Sequence, residues 1–546
     1  MTSWDYVIVG AGSAGCVLAA RLTEDPDISV LLLEAGDRDT AKEVAVPAAF
    51  SKLFHGPHDW DYTTDPEPGC DDREMYWPRG KMLGGSSSIN AMLYIRGSRH
   101  DFDGWRDAGC EGWGYDDVLP YFTRSEDNSR GPNAWHGVGG PLRVGDQRSP
   151  SPLSEDYLAA AEQTGLGRNH DFNGADQEGV GLYQVTQRAG RRESTATAFL
   201  RPAERRANLT VRTLAQATRV ILENGRAAGV EAQVDGQRQV FRAEREVLLA
   251  GGAINTPQLL LLSGIGPAPQ LREHGLEVLV DAPNVGRNLQ DHLSVGCGFT
   301  TNRPVSYFGA DRRVGAIASW LLRHRGPFSS PVAEAGGFLR SDSALTTPDL
   351  QLLFAPALFV EHGQTVAPGH GFSLGAYLLQ PRSTGQVTLR SDDPLAPAAI
   401  HAGYLRDDDD LRVLVEGLRR ILDIAAQTPL ARHAAARHLP DPGLDVSDDA
   451  QARAFVRARS ETMYHPTSTA AMGPRDSDVC DPSLRVRGVE GLRVIDASAF
   501  PSVPRGNTNA PVIMLAERAV DLLRTTTRLP AQRSAAPDAP SVVRPG

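Results

Sequence analysis

The chain predicts an α/β fold built on a dinucleotide-binding unit that the polypeptide leaves and later rejoins. Three observations carry this. An apolar run, Tyr6 to Val9, leads into Gly10-Ala11-Gly12-Ser13-Ala14-Gly15, and a second apolar run, Ser29 to Leu33, ends in Glu34, the strand–glycine loop–helix–strand–acid order of a dinucleotide fingerprint. Residues 208–250 then turn β-like. Far downstream, Gly491-Leu-Arg-Val-Ile-Asp496 reads as a strand ending in an acid, and Val512 to Leu523 as a helix beyond a proline-punctuated loop.

Taken in order, Gly10 allows the tight turn, Gly12 the close approach of backbone to a pyrophosphate, and Gly15 the approach of helix to sheet. The helix start presents free N–H groups to phosphate, and Glu34 is placed for a ribose hydroxyl. From there to about residue 140 the chain is rich in Gly, Pro, Trp and Asp with weak periodicity, which predicts long loops over a scaffold. Strands follow at Leu209–Arg212, Arg219–Leu222, Gly229–Ala232 and from Glu246, joined by turns such as Glu223-Asn224-Gly225. The apolar stretch Val247–Gly266 has the length of a membrane span, but Asn255, Thr256, Pro257 and Gln258 interrupt it, so it reads as strand, turn and core helix. Residues 301–460 offer strands at Asp349–Phe354 and Gly385–Leu389 and a helix over Leu411–Ala426. The four aspartates Asp407–Asp410 before it read as a solvated acidic first turn, and neither they nor His433 and His438 read as a metal site. Residues 526–546 are Pro-, Ala-, Ser- and Arg-rich and predict a disordered tail.

Length and charge narrow the function. At 546 residues two domains are expected, and 56 Lys and Arg against 67 Asp and Glu give a net charge of −11. That balance argues against a nucleic-acid or anionic-membrane surface. Five scattered cysteines with no CxxC spacing read as reduced structural thiols, excluding a disulfide frame and a zinc site. The first strand begins almost at Met1, leaving no room for a signal peptide, and the expected location is the cytoplasm with no transmembrane segment.

Three further stretches bear on chemistry. Arg79-Gly-Lys-Met-Leu-Gly-Gly-Ser-Ser-Ser-Ile-Asn90 supplies close backbone approach and small donors suited to a pyrophosphate or flat ring. In Glu461–Gly473, Pro466 restricts His465 to extended geometry. In Gly506-Asn-Thr-Asn-Ala-Pro511, Asn509 suits an N-cap and Pro511 a first turn.

Together with Gly252–Gly266 and Asn284–His292, these motifs in this order resemble the glucose–methanol–choline (GMC) flavin oxidoreductases over residues 3–524. The resemblance implies a Rossmann-like FAD-binding domain (1–150, 195–300 and 462–525) and a discontinuous antiparallel-sheet substrate domain (151–194 and 301–461). It implies FAD held by Gly10, Gly12, Ser13, Ala14, Gly15, Glu34, Ala35, Arg79, Met82, Gly84, Gly85, Ser88, Asn90, Ala91, Ala217, Tyr464, Asp496, Ala497, Asn507 and Thr508. It implies that His465 takes the proton of a primary alcohol while hydride passes to flavin N5, with Asn509 positioning the substrate oxygen. Ile89 stands where some members carry a flavin-linking histidine, which implies non-covalent FAD. Met463 replaces a small valine of known oxidases, which favours a dehydrogenase passing electrons to a quinone-type acceptor over one using O2. Leu379 replaces the cysteine of a photodecarboxylase branch. A hydroxynitrile lyase with non-redox FAD is the alternative reading. Choline as substrate would need a carboxylate and aromatic faces, for which Trp60, Tyr464 and Glu334 are candidates.

Overall fold

The computed structural model describes residues 3–359, 361–365 and 369–528; the expected tail lies almost wholly outside the described residues. A seven-stranded mixed sheet gathers three distant stretches of chain. Its strands are β1 (Ser3–Val9), β2 (Val30–Leu33), β3 (Leu209–Arg212), β4 (Ala215–Glu223), β5 (Arg226–Val234), β6 (Gln237–Leu249) and β7 (Leu492–Val494). The order is β3-β2-β1-β6-β5-β4, with β7 also on β6. The thirteen-residue β6 joins two halves of the sheet. Its first part pairs antiparallel with β5, and its last residues pair parallel with β1 on one side and β7 on the other. Those central segments are fully buried, as expected of parallel strands covered on both faces. At the β4–β5 hairpin, Asn224 and Gly225 both have φ near or above +50°, the conformation that Asn-Gly favours.

Helix α1 (Ser13–Leu22) runs from the glycine loop, α2 (Gly252–Leu262) follows β6, and α3 (Asn509–Arg528) packs against α1. A Cβ on Gly15 would sit 1.9 Å from the Gly10 carbonyl oxygen, so only glycine lets α1 start this close to β1. The stretch Val247–Gly266 is the expected strand, turn and core helix. Among the described residues no helix is long and apolar enough to cross a membrane.

A second sheet is antiparallel throughout. Its order is Ala436–Leu439, Leu293–Thr300, Gly371–Leu378, Leu350–Ala355, Ala335–Leu339 and Gly179–Leu182, with Glu461–Thr462 paired to Leu293–Ser294. Helix Asp408–Ala426 packs on it through Leu411, Leu414, Leu418 and Ile421, all buried. The strand Leu293–Thr300 therefore belongs to the second sheet, although the resemblance placed it in the FAD-binding segment ending at 300. Its alternating residues Leu293, Val295 and Cys297 are buried in the core of that sheet.

Two other expectations change. The region read as loops contains helices Arg99–Asp107 and Tyr115–Ser125; the first is entered at Ser98, whose N–H donates to the Asp101 carboxylate at 2.7 Å. The acidic first turn is only partly solvated. Asp407 caps the helix through the Asp409 N–H at 2.9 Å, but Asp410 is buried and accepts from the Arg382 and Ser383 N–H groups. All five cysteines are buried and unbridged, and among the described residues no His, Cys, Asp or Glu group could hold a metal ion.

Candidate active site

The two glycine loops meet first. Gly84 N–H donates to the Ala11 carbonyl at 2.7 Å, and a Cβ on Gly85 would lie 2.7 Å from Gly12 Cα. Glu34 closes the arrangement from the end of β2: its carboxylate accepts from Ala11 N–H at 2.8 Å and Gly36 N–H at 2.9 Å. Burial pushes the Glu34 carboxyl up to about 7, because the charged form loses hydration that two N–H bonds and the Lys81 charge only partly replace.

These loops line a cavity of about 300 Å³ that also reaches His465. Of the residues expected to bind cofactor, Gly10, Gly12, Ser13, Ala14, Glu34, Ala35, Arg79, Gly85, Asn90, Ala91, Ala217, Tyr464, Asp496, Ala497, Asn507 and Thr508 line it. Gly15, Met82, Gly84 and Ser88 do not. They build the walls behind: Met82 is buried in an apolar cluster with Ile89 and Phe50, and the Ser88 hydroxyl donates to the Leu83 carbonyl at 2.8 Å. Asp496 accepts from Gly252 N–H and the Thr256 hydroxyl, which fixes the β7 end against α2.

The arrangement fits a flavin dinucleotide. A Cβ on Gly12 would meet only the Ala250 oxygen, at 3.9 Å, so the loop leaves open space where a pyrophosphate must approach. No side chain caps the start of α1, leaving its first N–H groups for an anion.

The second centre is assembled by the pairing of Glu461–Thr462 with Leu293–Ser294. Asp291 accepts from the Thr462 hydroxyl at 2.6 Å and from the His465 N–H at 2.7 Å. His292 and His465 are thereby held with their Nδ1 atoms 3.0 Å apart. The His292 Nε2 lies 3.2 Å from the Leu379 carbonyl oxygen. A carbonyl can only accept, so Nε2 carries the proton and the neutral ring offers Nδ1 as acceptor. His465 must then donate from Nδ1, which leaves a lone pair on its Nε2. Burial lowers the His292 pKa to about 4. Burial, then His292 and Arg79, hold His465 well below the usual imidazole range. Both rings are neutral near pH 7.

The Nε2 lone pair of His465 faces Asn507 Nδ2 at 3.2 Å. The amide is oriented from the far side. Tyr183 donates its hydroxyl to the Leu352 carbonyl, so it accepts from Gln351 Nε2, which also reaches Asn507 Oδ1 at 3.4 Å. Asn509, expected beside the substrate, lines the same cavity, and its Oδ1 accepts from the Ser13 hydroxyl at 2.7 Å. Helix α3 begins at Asn509 itself, so the cap falls at Thr508, one residue earlier than expected. The residue facing His465 is Asn507, assigned from sequence to the cofactor. One helical start separates them: Asn507 is still in the extended loop that passes His465, whereas Asn509 has already turned toward the glycine loop. His292 stood in the Asn284–His292 motif without a role of its own, because only the cross-strand pairing shows that it meets His465.

Of the candidates for choline recognition, Trp60 and Tyr464 line the cavity and Glu334 does not. Glu334 is fully buried away from the cavity, accepting from Ser151 N–H and the Ser154 and Ser330 hydroxyls at 2.7 Å each. Trp60 lines the cavity, but Lys81 Nζ lies 4.5 Å from its ring centroid. The acidic side chains on the cavity lining are Glu34 and Asp496, both engaged by backbone N–H groups of the glycine loop and α2.

Comparison with known proteins agrees with the fold. Residues 4–294 match the amino-terminal GMC oxidoreductase family model and residues 381–516 the carboxy-terminal one. The chain belongs to the GMC oxidoreductases, FAD-dependent enzymes of a family acting on alcohols. It is 42% identical to the alcohol dehydrogenase [acceptor] of Pseudomonas putida over 528 residues, covering 95% of each chain. It is also 42% identical to the mitochondrial choline dehydrogenase of Mus musculus, covering 95% of this chain and 89% of the mouse protein. The crystallised Aspergillus oryzae formate oxidase, studied for modification of its FAD, superposes with a TM-score of 0.89 at 27% identity, over 96% of this chain and 98% of that one.

Proposed function

We propose that the enzyme oxidises an uncharged primary alcohol to its aldehyde, with His465 Nε2 as the base and Asn507 Nδ2 holding the alcohol oxygen. The observation that supports this reading is the enforced tautomer. The Leu379 carbonyl fixes His292, His292 fixes His465, and an unprotonated Nε2 is left facing an amide donor in the cavity. A substrate hydroxyl that displaces this direct contact and sits beside both groups donates to His465 Nε2 and accepts from Asn507 Nδ2. As its proton leaves, charge grows on the oxygen that the amide already binds. Bound FAD, cradled by the glycine loops and without a covalent link at Ile89, supplies the two-electron acceptor for the carbon-bound hydride.

A neutral substrate is preferred to choline because the free carboxylate that a quaternary ammonium group needs is missing from the cavity lining among the described residues. Met463 lines the cavity, and its bulk favours a quinone-type acceptor over O2. The cytoplasm remains the proposed location. The test is anaerobic mixing of flavin-loaded enzyme with a panel of primary alcohols. Bleaching of oxidised flavin is expected, slowed about 10²–10⁴-fold in His465→Ala with FAD still bound. Cyanohydrin cleavage without bleaching would replace this reading with a lyase.

A further inference from the structure

Surface helix Val314–Arg323 buries none of its ten residues. At 100° per residue, Val314, Ile317, Ala318, Leu321 and Leu322 share one face. That face is turned to solvent: Val314 is 80% exposed, Leu321 68%, Leu322 81% and Ile317 36%. Phe308, 38% exposed, precedes it. The inner side carries Trp320, packed on His324 and Phe328. This is the reverse of an ordinary surface helix, whose apolar stripe faces the core.

The charge around it is also reversed. In a chain of net charge −11, residues 303–325 hold five arginines and one aspartate. Arg312 and Arg313 flank one end of the helix and Arg323 and Arg325 the other, all exposed. Among the described residues none of these four is ion-paired with a carboxylate. Net charge argues against an anionic surface only when charge is spread evenly, and here it is not.

We propose that this helix is a docking element for the surface of an anionic phospholipid bilayer, lying in the plane of the headgroups. An exposed apolar stripe can sink into the headgroup boundary while the arginines flanking it are drawn to anionic lipid, and ten residues are about half of what a span requires. The four arginines choose lipid over a second copy of this chain, since a copy would bring the same positive charge to the contact. The segment Pro327–Ser329 immediately after the helix packs against Pro47–Leu53, from which Phe50 reaches the cavity lining. Docking therefore holds that side of the cavity near the lipid, where apolar alcohols and quinones partition. This last consequence rests on the proposed alcohol dehydrogenase reading, whereas the docking itself does not.

The test uses full-length, FAD-loaded enzyme with sedimentable vesicles of phosphatidylcholine alone or with one quarter phosphatidylglycerol. Binding to the anionic vesicles is expected at low salt, with release as salt is raised, since each arginine near the surface contributes about a fivefold factor in partitioning. The double variant Leu321→Ser/Leu322→Ser should bind at least about tenfold more weakly. Its flavin absorbance and its bleaching by alcohol should match the unaltered enzyme, which establishes that it is folded. The proposal is overturned if the unaltered enzyme ignores anionic vesicles at low salt, or if the double variant binds them equally well. A dimer in light scattering that the double variant dissolves, without vesicle binding, would assign the face to a second copy instead. Vesicle binding without bleaching by any alcohol would sink the dehydrogenase reading and leave the docking intact.

Discussion

Replacing His292 by leucine removes the acceptor that fixes His465 while keeping a buried side chain of similar bulk. The His465 Nδ1–H, now 3.0 Å from that acceptor, is left unpaired in a buried site, at a cost of about 1–3 kcal/mol. The ring escapes the cost by moving its proton to Nε2 or by rotating, and either takes the lone pair away from Asn507 and the substrate. At 1.36 kcal/mol per factor of ten, flavin reduction should slow by about 5–150-fold, with FAD affinity unchanged because His292 does not line the cavity. His292→Asn keeps a carbonyl oxygen near the Nδ1 position and should recover much of the lost rate. The assay is anaerobic stopped-flow bleaching at saturating alcohol, near pH 7, where His292 and His465 are both neutral. Reduction at the unaltered rate in His292→Leu would refute the tautomer argument. Equal losses in the Leu and Asn variants would reduce His292 to a packing residue.

The same histidine gives a stability signature. Its folded pKa is lowered to about 4 from 6.5, so its contribution is fully present above pH 6.5 and is lost as pH falls toward 4, by up to about 3 kcal/mol. Glu34 acts oppositely: its folded pKa is raised to about 7, so its contribution is present below its unfolded value near 4.5 and is lost as pH rises toward 7. The two nearly cancel in the unaltered protein. The difference in urea-unfolding free energy between His292→Asn and the parent should therefore shift in favour of the variant between pH 6.5 and pH 4.5; a pH-independent difference would contradict the buried neutral ring. Gly12→Val should fold normally and lose FAD, since its side chain enters the open cradle, whereas Gly15→Ala should destabilise the protein by several kcal/mol through contact with the Gly10 carbonyl. Thermal melts and flavin retention distinguish the pair, and FAD-replete Gly12→Val would displace the pyrophosphate from that loop. Asn507→Ala should cut the bleaching rate about tenfold or more with FAD retained, while Asn509→Ala should chiefly alter FAD retention through Ser13. The opposite pattern would restore Asn509 to the substrate.

Much of the scaffold was legible because it rests on local chemistry. Gly10 is required by its own positive φ and Gly15 by the Gly10 carbonyl one turn away, the Asn224-Gly225 hairpin by its own φ values, and the buried strands by unbroken apolar runs. The helices at 99–107 and 115–125 escaped because their apolar residues are sparse in a stretch crowded with Gly, Asp and Pro. The sheet that Leu293–Thr300 joins escaped because an alternating strand looks the same in either sheet. Asp410 escaped because a carboxylate capping a distant turn is indistinguishable in sequence from one in water.

The sequence by itself determined the family of chemistry. A glycine loop, an acid at the end of a strand and a proline-fixed histidine are short-range patterns, and each limits what can bind or react beside it. Only the tertiary structure decided which side chains face one another across the cavity. Asn507 and Asn509 are two positions apart and chemically identical, and one is turned to His465 and the other to Ser13 by where helix α3 begins. His292 and His465 are 173 residues apart, and the proton positions that leave a lone pair on His465 Nε2 depend on a carbonyl, at Leu379, that no side-chain pattern encodes. Hydrogen-bond direction is a property of neighbours in space, so the active tautomer follows from the pairing of two strands and from nothing local to either histidine.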